Sequence, residues 1–193
     1  MIVWLNGTFG AGKTTTAREL VPLIPESRIF DSEYVGYMLQ HVLDTVPHDD
    51  FQEWTPWRGL VVETAAQLLD YVGGTLVVPQ TVLVEQYWTE IRTGLEKRSI
   101  PVHHFVLHTD RDTLVHRIDT DAKEESRNAG PWRHKHLTPY EEALPWLQAE
   151  ATVLDTTSRT PGQVAREISR LTAAAARQAA GGSGRRPGGT PRG

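Results

Sequence analysis

The chain has 193 residues, 39% hydrophobic and 23% charged, which is enough for one globular domain with a full core. A net charge of -4 gives no global argument for nucleic acid or an anionic membrane as partner, and the lack of cysteine excludes disulfides and thiolate metal sites. No stretch reaches the length of a membrane-spanning helix, and the first residues lack the basic segment of a secretory leader, so a cytoplasmic location is expected.

The apolar run Ile2-Val3-Trp4-Leu5 reads as a buried strand that ends in the turn signal Asn6-Gly7. Gly7-Thr8-Phe9-Gly10-Ala11-Gly12-Lys13-Thr14 then fits G-x-x-x-x-G-K-[ST] at every fixed position, and a helix-forming stretch from Lys13 to Leu23 follows. Glycines let the backbone curl so that N–H groups face phosphate oxygens, while a lysine reaches the outer phosphates and a hydroxyl meets Mg²⁺. Gly7, Thr8, Gly10, Ala11, Gly12, Lys13, Thr14 and Thr15 are therefore the candidate binding residues for ATP, with Thr14 as the magnesium ligand.

Strand and helix signals alternate from there. Arg28 to Phe30 is a short strand ending at Asp31, and Ser32 to Leu43 carries Val35, Met38, Leu39, Val42 and Leu43 at helical spacing. A polar, aromatic stretch from Pro47 to Trp57 precedes a helix from Arg58 to Val72, whose expected buried face is Leu60, Val61, Ala65, Leu68, Leu69 and Val72. Gly73-Gly74 stops it before the apolar strand Thr75 to Val78. A helix over Glu85–Lys97, a strand over Val102–Leu107 and a helix from Asp110 to Thr120 come next. Residues 121–137 form a charged excursion that reads as a lid. Thr138-Pro139-Tyr140-Glu141 and Thr160-Pro161-Gly162-Gln163 are explicit helix starts, with the strand Thr152 to Leu154 between them. Five strands separated by helices predict a parallel α/β sheet covered on both faces. The domain is expected to span residues 1–180, with a disordered tail, GGSGRRPGGTPRG, over 181–193.

Ligands of such sheets sit beyond the carboxyl ends of the strands, so Asp31 and Pro79-Gln80-Thr81 should ring one crevice with the glycine-rich loop. Asp31 is placed either to accept a proton from a substrate hydroxyl or to cap the next helix, and the two roles are compatible. Arg117, Arg127, Arg133 and Lys135 are either cations that close over developing phosphate charge or solvated surface residues. Phe51, Trp54 and Trp57 beside Arg58 read as a stacking surface for an acceptor or as a hydrophobic cap over the helices. His134 with His136 lacks a third ligand at identifiable spacing, and His103 and His104 point to opposite faces of a strand, so no metal site is assigned to either pair.

Together IVWLNGTFGAGKT, FDSEYVGYML, DDFQEWTPWR, LVVPQTV and VHHFVLHTDRDTLVHRI resemble the tunicamycin-resistance ATP-binding proteins, a branch of the small P-loop kinases. The resemblance spans most of residues 1–155 and implies an adenylate-kinase-like P-loop fold with sheet order 2-3-1-4-5, use of ATP and Mg²⁺, and protection against tunicamycin, a nucleoside antibiotic. It also implies that Asp31 is the catalytic base, that Arg58 contacts the acceptor and that Arg117 faces the phosphates. Gln80, where the third strand ends without the usual aspartate, joins Phe51, Trp54, Trp57 and Arg58 as a candidate substrate contact. Mg²⁺ would then rely on Thr14, the phosphates and water held by Asp31 or Thr81.

The expectation is an ATP-dependent kinase, monomeric or homodimeric, that phosphorylates a hydroxyl of a nucleoside antibiotic, without nucleic acid or membrane insertion. An ATP-dependent protein that sequesters the drug stays open, as does a small-metabolite or nucleotide kinase. Arg58 is the only arginine between Ser32 and Gln80, which disfavours an acceptor that already carries phosphate. No N-K-x-D-like segment points to guanine recognition.

Overall fold

The computed structural model describes residues 1–121 and 130–182. Strand β1 (Ile2–Asn6) leads through the glycine-rich loop into α1 (Lys13–Leu20), and a single 3₁₀ turn, Val21–Leu23, follows. Then come β2 (Ser27–Ile29), α2 (Glu33–Gln40), a 3₁₀ turn at Phe51–Glu53 and α3 (Thr55–Val72). Strand β3 (Thr75–Pro79), α4 (Glu85–Lys97), β4 (Val102–His108) and α5 (Arg111–Asp119) complete the first part. Helices α6 (Gly130–Lys135) and α7 (Leu137–Glu150), strand β5 (Thr152–Asp155) and α8 (Pro161–Gly182) follow. The sheet has five strands in the order β2-β3-β1-β4-β5, all parallel, which is the adenylate-kinase-like P-loop architecture.

Side chains of a strand alternate between faces, and the central strand shows why both faces need cover. On one side Val3 and Leu5 join Ala17 and Leu20 of α1, Phe105 and Leu107 of β4, and Val164 and Ile168 of α8. On the other, Ile2 and Trp4 join Leu76, Val78, Val61 of α3 and Trp88, Ile91 and Leu95 of α4. β1 therefore has no exposed residue, whereas β2, at the sheet edge, leaves Arg28 and Ile29 in solvent.

Several boundaries differ from the sequence reading. α3 begins at Thr55, with a proline in its first turn, and its buried face runs through Trp57, Val61 and Ala65. Leu68 is exposed, because the fully buried Trp57 indole sets which side of the helix meets the sheet. Val35 and Leu39 of α2 are buried while Met38 faces solvent, and Val42, beyond the end of the helix, is exposed as well. The excursion expected up to Leu137 contains α6, and α7 starts one residue before Thr138 with no side-chain cap. Pro139 fits there because the first turn of a helix has no use for its N–H groups. At α8 the expected reciprocal cap does form: Thr160 Oγ1 accepts the Gln163 N–H at 3.3 Å and Gln163 Oε1 accepts the Thr160 N–H at 2.8 Å. Residues 183–193 of the expected tail, and Arg127, lie outside the described residues, while α8 itself runs past Ala180 to Gly182.

Thr172 of α8 is buried, and its hydroxyl has no hydrogen-bond partner among the described residues. Thr172→Val keeps the shape and removes the unmatched group, so calorimetry is expected to show a gain of about 1 kcal/mol, or roughly 2–4 °C in Tm.

Candidate active site

The phosphate-loop glycines have backbone angles that other residues rarely take. Gly7 has φ 130°, and an added Cβ would meet the Leu107 carbonyl oxygen at 2.6 Å, while Gly12 caps α1 in the left-handed region with φ 89°. The cap leaves the first amides of α1 pointing back into the loop, with Thr14 and Thr15 exposed beside them. Lys13 Nζ donates to the carbonyl oxygens of Gly7 and Thr8, each at 2.9 Å, and lies 5.3 Å from the centre of the Phe9 ring. Burial lowers the Lys13 pKa to about 7; the nearby Glu33 carboxylate opposes that shift and Arg133 adds to it. The Thr8 side chain is buried and turned away, its hydroxyl donating to the His136 carbonyl at 3.4 Å. Phe9, Trp132 and His136 form an aromatic cluster over this part of the loop.

Asp31 follows β2 and accepts the Glu33 N–H at 3.1 Å, so it supports the start of α2 through one carboxylate oxygen. Glu33 itself is a site residue that the sequence reading missed. Burial and the neighbouring Asp31 raise its proton affinity, against a hydrogen bond from Tyr37 Oη at 3.2 Å and the attraction of Lys13. Asp50 adds to the rise at Glu33, and its own proton affinity is raised by burial, against a hydrogen bond from the Gln52 N–H and the influence of His136. Glu33 thus couples Lys13 to carboxylates of two segments, Asp31 and Asp50. An acidic residue in a first helical turn looks in sequence like an ordinary response to the helix dipole, so nothing local marks Glu33 out.

The other expected acceptor contacts are used differently. Trp57 has no exposed surface and its Nε1 donates to the Ser32 carbonyl at 3.1 Å, while Trp54 is 6% exposed. Both belong to the core rather than to a stacking surface, and only Phe51, packed over Gly36, is partly open. Arg58 is engaged on every side: Nε donates to Glu90 at 2.5 Å, Nη1 to the carbonyls of Gln52 and Glu53, Nη2 to Thr55 Oγ1 at 3.2 Å, and the guanidinium lies 4.3 Å from the Tyr87 ring centre. It ties α3 to α4 and to the loop before it rather than reaching an acceptor. Arg58→Ala is expected to cost about 2 kcal/mol in chemical denaturation, because buried carbonyls lose their donors, and to leave MgATP affinity unchanged. Gln80 is 3% exposed, accepts from Ser32 Oγ at 2.8 Å and donates to the Thr81 carbonyl at 3.2 Å, so it too builds the wall from behind. Thr81 Oγ1 donates to the Gly7 carbonyl at 2.8 Å.

On the other side of the loop, a cavity of about 210 Å³ is bounded by Gly10, Gly12, Thr16, Arg117, Arg159 and Pro161 among others. Arg117 was expected to face the phosphates. Its Nη1 instead donates to the Gly10 carbonyl and Thr109 Oγ1, each at 3.3 Å, and its Nη2 to the carbonyls of Thr156 and Thr157 at 2.9 and 3.2 Å. From the last turn of α5 it reaches the loop before α8 and clamps it to the phosphate loop. Arg133 pairs with Asp121 at 2.8 Å and stands close enough to Lys13 to depress its proton affinity. His134 Nε2 meets Asp119 at 2.8 Å, and Lys135 is exposed.

A family model described as an AAA domain matches residues 2–130. Among solved structures the chain is similar to a tunicamycin resistance protein of Deinococcus radiodurans, at 25% identity and a TM-score of 0.69, covering 89% of this chain and 95% of that one. A sugar kinase from a Janibacter species (19% identity, TM-score 0.63, 89% and 92% covered) and a gluconokinase from Sinorhizobium meliloti (16%, 0.59, 91% and 95%) share the fold. No curated protein matches the chain.

Proposed function

The chain belongs to the AAA domain family, and from that premise we propose that it is an ATP-dependent phosphotransferase that inactivates a tunicamycin-type nucleoside antibiotic by phosphorylating one of its hydroxyls. The observation that carries the reading is the carboxylate pair at the end of β2, where Glu33 interacts with both Asp31 and the phosphate-loop Lys13. The likeness to the Deinococcus radiodurans protein over nearly both full chains supports the choice of antibiotic.

In this mechanism Asp31 takes the proton of the acceptor hydroxyl as that oxygen bonds to the γ-phosphorus. The bond from the γ-phosphorus to the bridging oxygen breaks, and ADP leaves. Lys13, and Arg133 and Arg127 from the lid, offset the charge on the transferring group, while Arg117 holds the wall of the cavity beside the phosphate loop. Thr14, with water held by Asp31 or Thr81, would supply the hard oxygen donors that suit Mg²⁺, whose part would be to neutralise phosphate charge. Phe51 flanks the acceptor, and the enzyme acts in the cytoplasm, where ATP is available. Four of the five Arg58 N–H groups are given to Glu90, Gln52, Glu53 and Thr55, and the side chain is buried, which speaks against a nucleoside monophosphate kinase.

A second reading, ATP-dependent sequestration without transfer, draws support from the end of β3. No aspartate stands there, and the Thr81 hydroxyl is already spent on the Gly7 carbonyl. Incubating the protein with MgATP and tunicamycin and weighing the drug separates the two. One added phosphoryl group, absent with Lys13→Ala, is the expected result. Unchanged mass with tight ATP-dependent binding would establish sequestration, and neither transfer nor binding would reject both.

A further inference from the structure

Asn6 closes β1 and its side chain makes four contacts. Its Oδ1 accepts the N–H groups of Gly7 at 2.8 Å and Val82 at 2.9 Å. Both partners can only donate, so the orientation of the amide follows from hydrogen-bond chemistry. Its Nδ2 is then the NH₂ group, with one hydrogen on the Val82 carbonyl at 2.9 Å and the other directed at His104 Nε2, 3.3 Å away. Parallel register places His104 beside Trp4, and alternation puts Asn6 on the same face of the sheet, which is why residues 98 apart in sequence meet.

An NH₂ group cannot accept, so Nε2 must be the bare nitrogen of a neutral imidazole, with the ring proton on Nδ1. The surroundings agree. His104 is 8% exposed and its ring lies 3.9 Å from that of Trp88. Burial, with a smaller contribution from Arg92, lowers its pKa to about 3. Nδ1 has no partner among the described residues, so the bond to Asn6 is what holds the ring in this state.

The contact leads directly to the phosphate loop. Asn6 pins the amide of Gly7, and the Gly7 carbonyl receives both Lys13 Nζ and Thr81 Oγ1. We infer that His104, as its Nδ1–H tautomer, is a positioning residue for the phosphate loop, acting through Asn6 on Gly7 and Lys13. The inference rests on the nucleotide-binding part of the function proposed above.

Long-range ¹H–¹⁵N spectroscopy of the full chain is expected to show His104 as the Nδ1–H tautomer. His104→Phe keeps a flat ring against Trp88 but strands one Asn6 hydrogen; it should weaken MgATP binding about tenfold by calorimetry and speed amide exchange at Gly7 and Val82. His104→Gln, whose side-chain oxygen can take the place of Nε2, should restore affinity to within about threefold. An Nε2–H tautomer, unchanged affinity in His104→Phe, or a glutamine variant no better than the phenylalanine one would overturn the assignment. If His104→Phe does not fold, the wild-type tautomer and the affinity of His104→Gln decide. A wild-type chain that fails to bind MgATP would instead reject the proposed function, and the tautomer and the Gly7 exchange rate would still judge the link to Asn6.

Discussion

Asp31→Asn is expected to lower turnover by about a hundred- to ten-thousand-fold while leaving MgATP affinity within about twofold of wild type. Asparagine retains the oxygen that accepts the Glu33 N–H, so the start of α2 should survive the change. What it loses is the capacity to take a proton. Glu33→Gln is the informative companion, because it removes the neighbouring charge and leaves Asp31 in place; it is expected to lose about tenfold or less. Rates measured at saturating ATP would decide, and an Asp31→Asn enzyme with wild-type turnover would remove Asp31 as the base. The reverse order of losses would transfer that role to Glu33.

The second large effect concerns pH. In the free protein Lys13 has a pKa of about 7, because burial disfavours its ammonium form. A bound triphosphate favours that form, so nucleotide binding above neutrality must take up a proton. MgATP affinity is then expected to fall about tenfold per pH unit above pH 7, hence roughly a hundredfold between pH 7 and 9. Calorimetry in buffers of different ionisation enthalpy should register the proton taken up, and Lys13→Arg, always charged, should flatten the slope. A flat profile in the wild type would show that the amine stays charged without nucleotide. The same shift acts on stability. Between about 7 and the ordinary lysine value of 10.5 the unfolded chain holds a proton on Lys13 that the folded one does not, so the nucleotide-free protein should gain stability as pH rises through that window.

The readable parts of this chain were those where chemistry is local. The glycine-rich loop needs φ values that glycine alone takes without strain, and Lys13 and Thr14 sit at fixed offsets from it, so the phosphate site was written in consecutive residues. The same holds for the Thr160–Gln163 cap and for the alternation of apolar strands with amphipathic helices that implied a parallel sheet. Asp31 was legible because its place at the end of a strand follows from that topology.

The acceptor side was different. Trp54 and Trp57 carry the same side chains whether they stack on a ligand or fill a core, and only the meeting of α2, α3 and the sheet buries them. Arg58 looks like a free cation until Glu90, 32 residues away, is brought to its Nε, and Arg117 looks like a phosphate ligand until the loop before α8 arrives with its carbonyls. Glu33 carries no mark of its own in the sequence, and His104 is there only half of a histidine pair. Residues in sequence state which interactions a side chain can make. Which one it makes depends on the partners that long-range contacts supply, and here the parallel crossovers that align Asn6 with His104, and α3 with α4, made that selection.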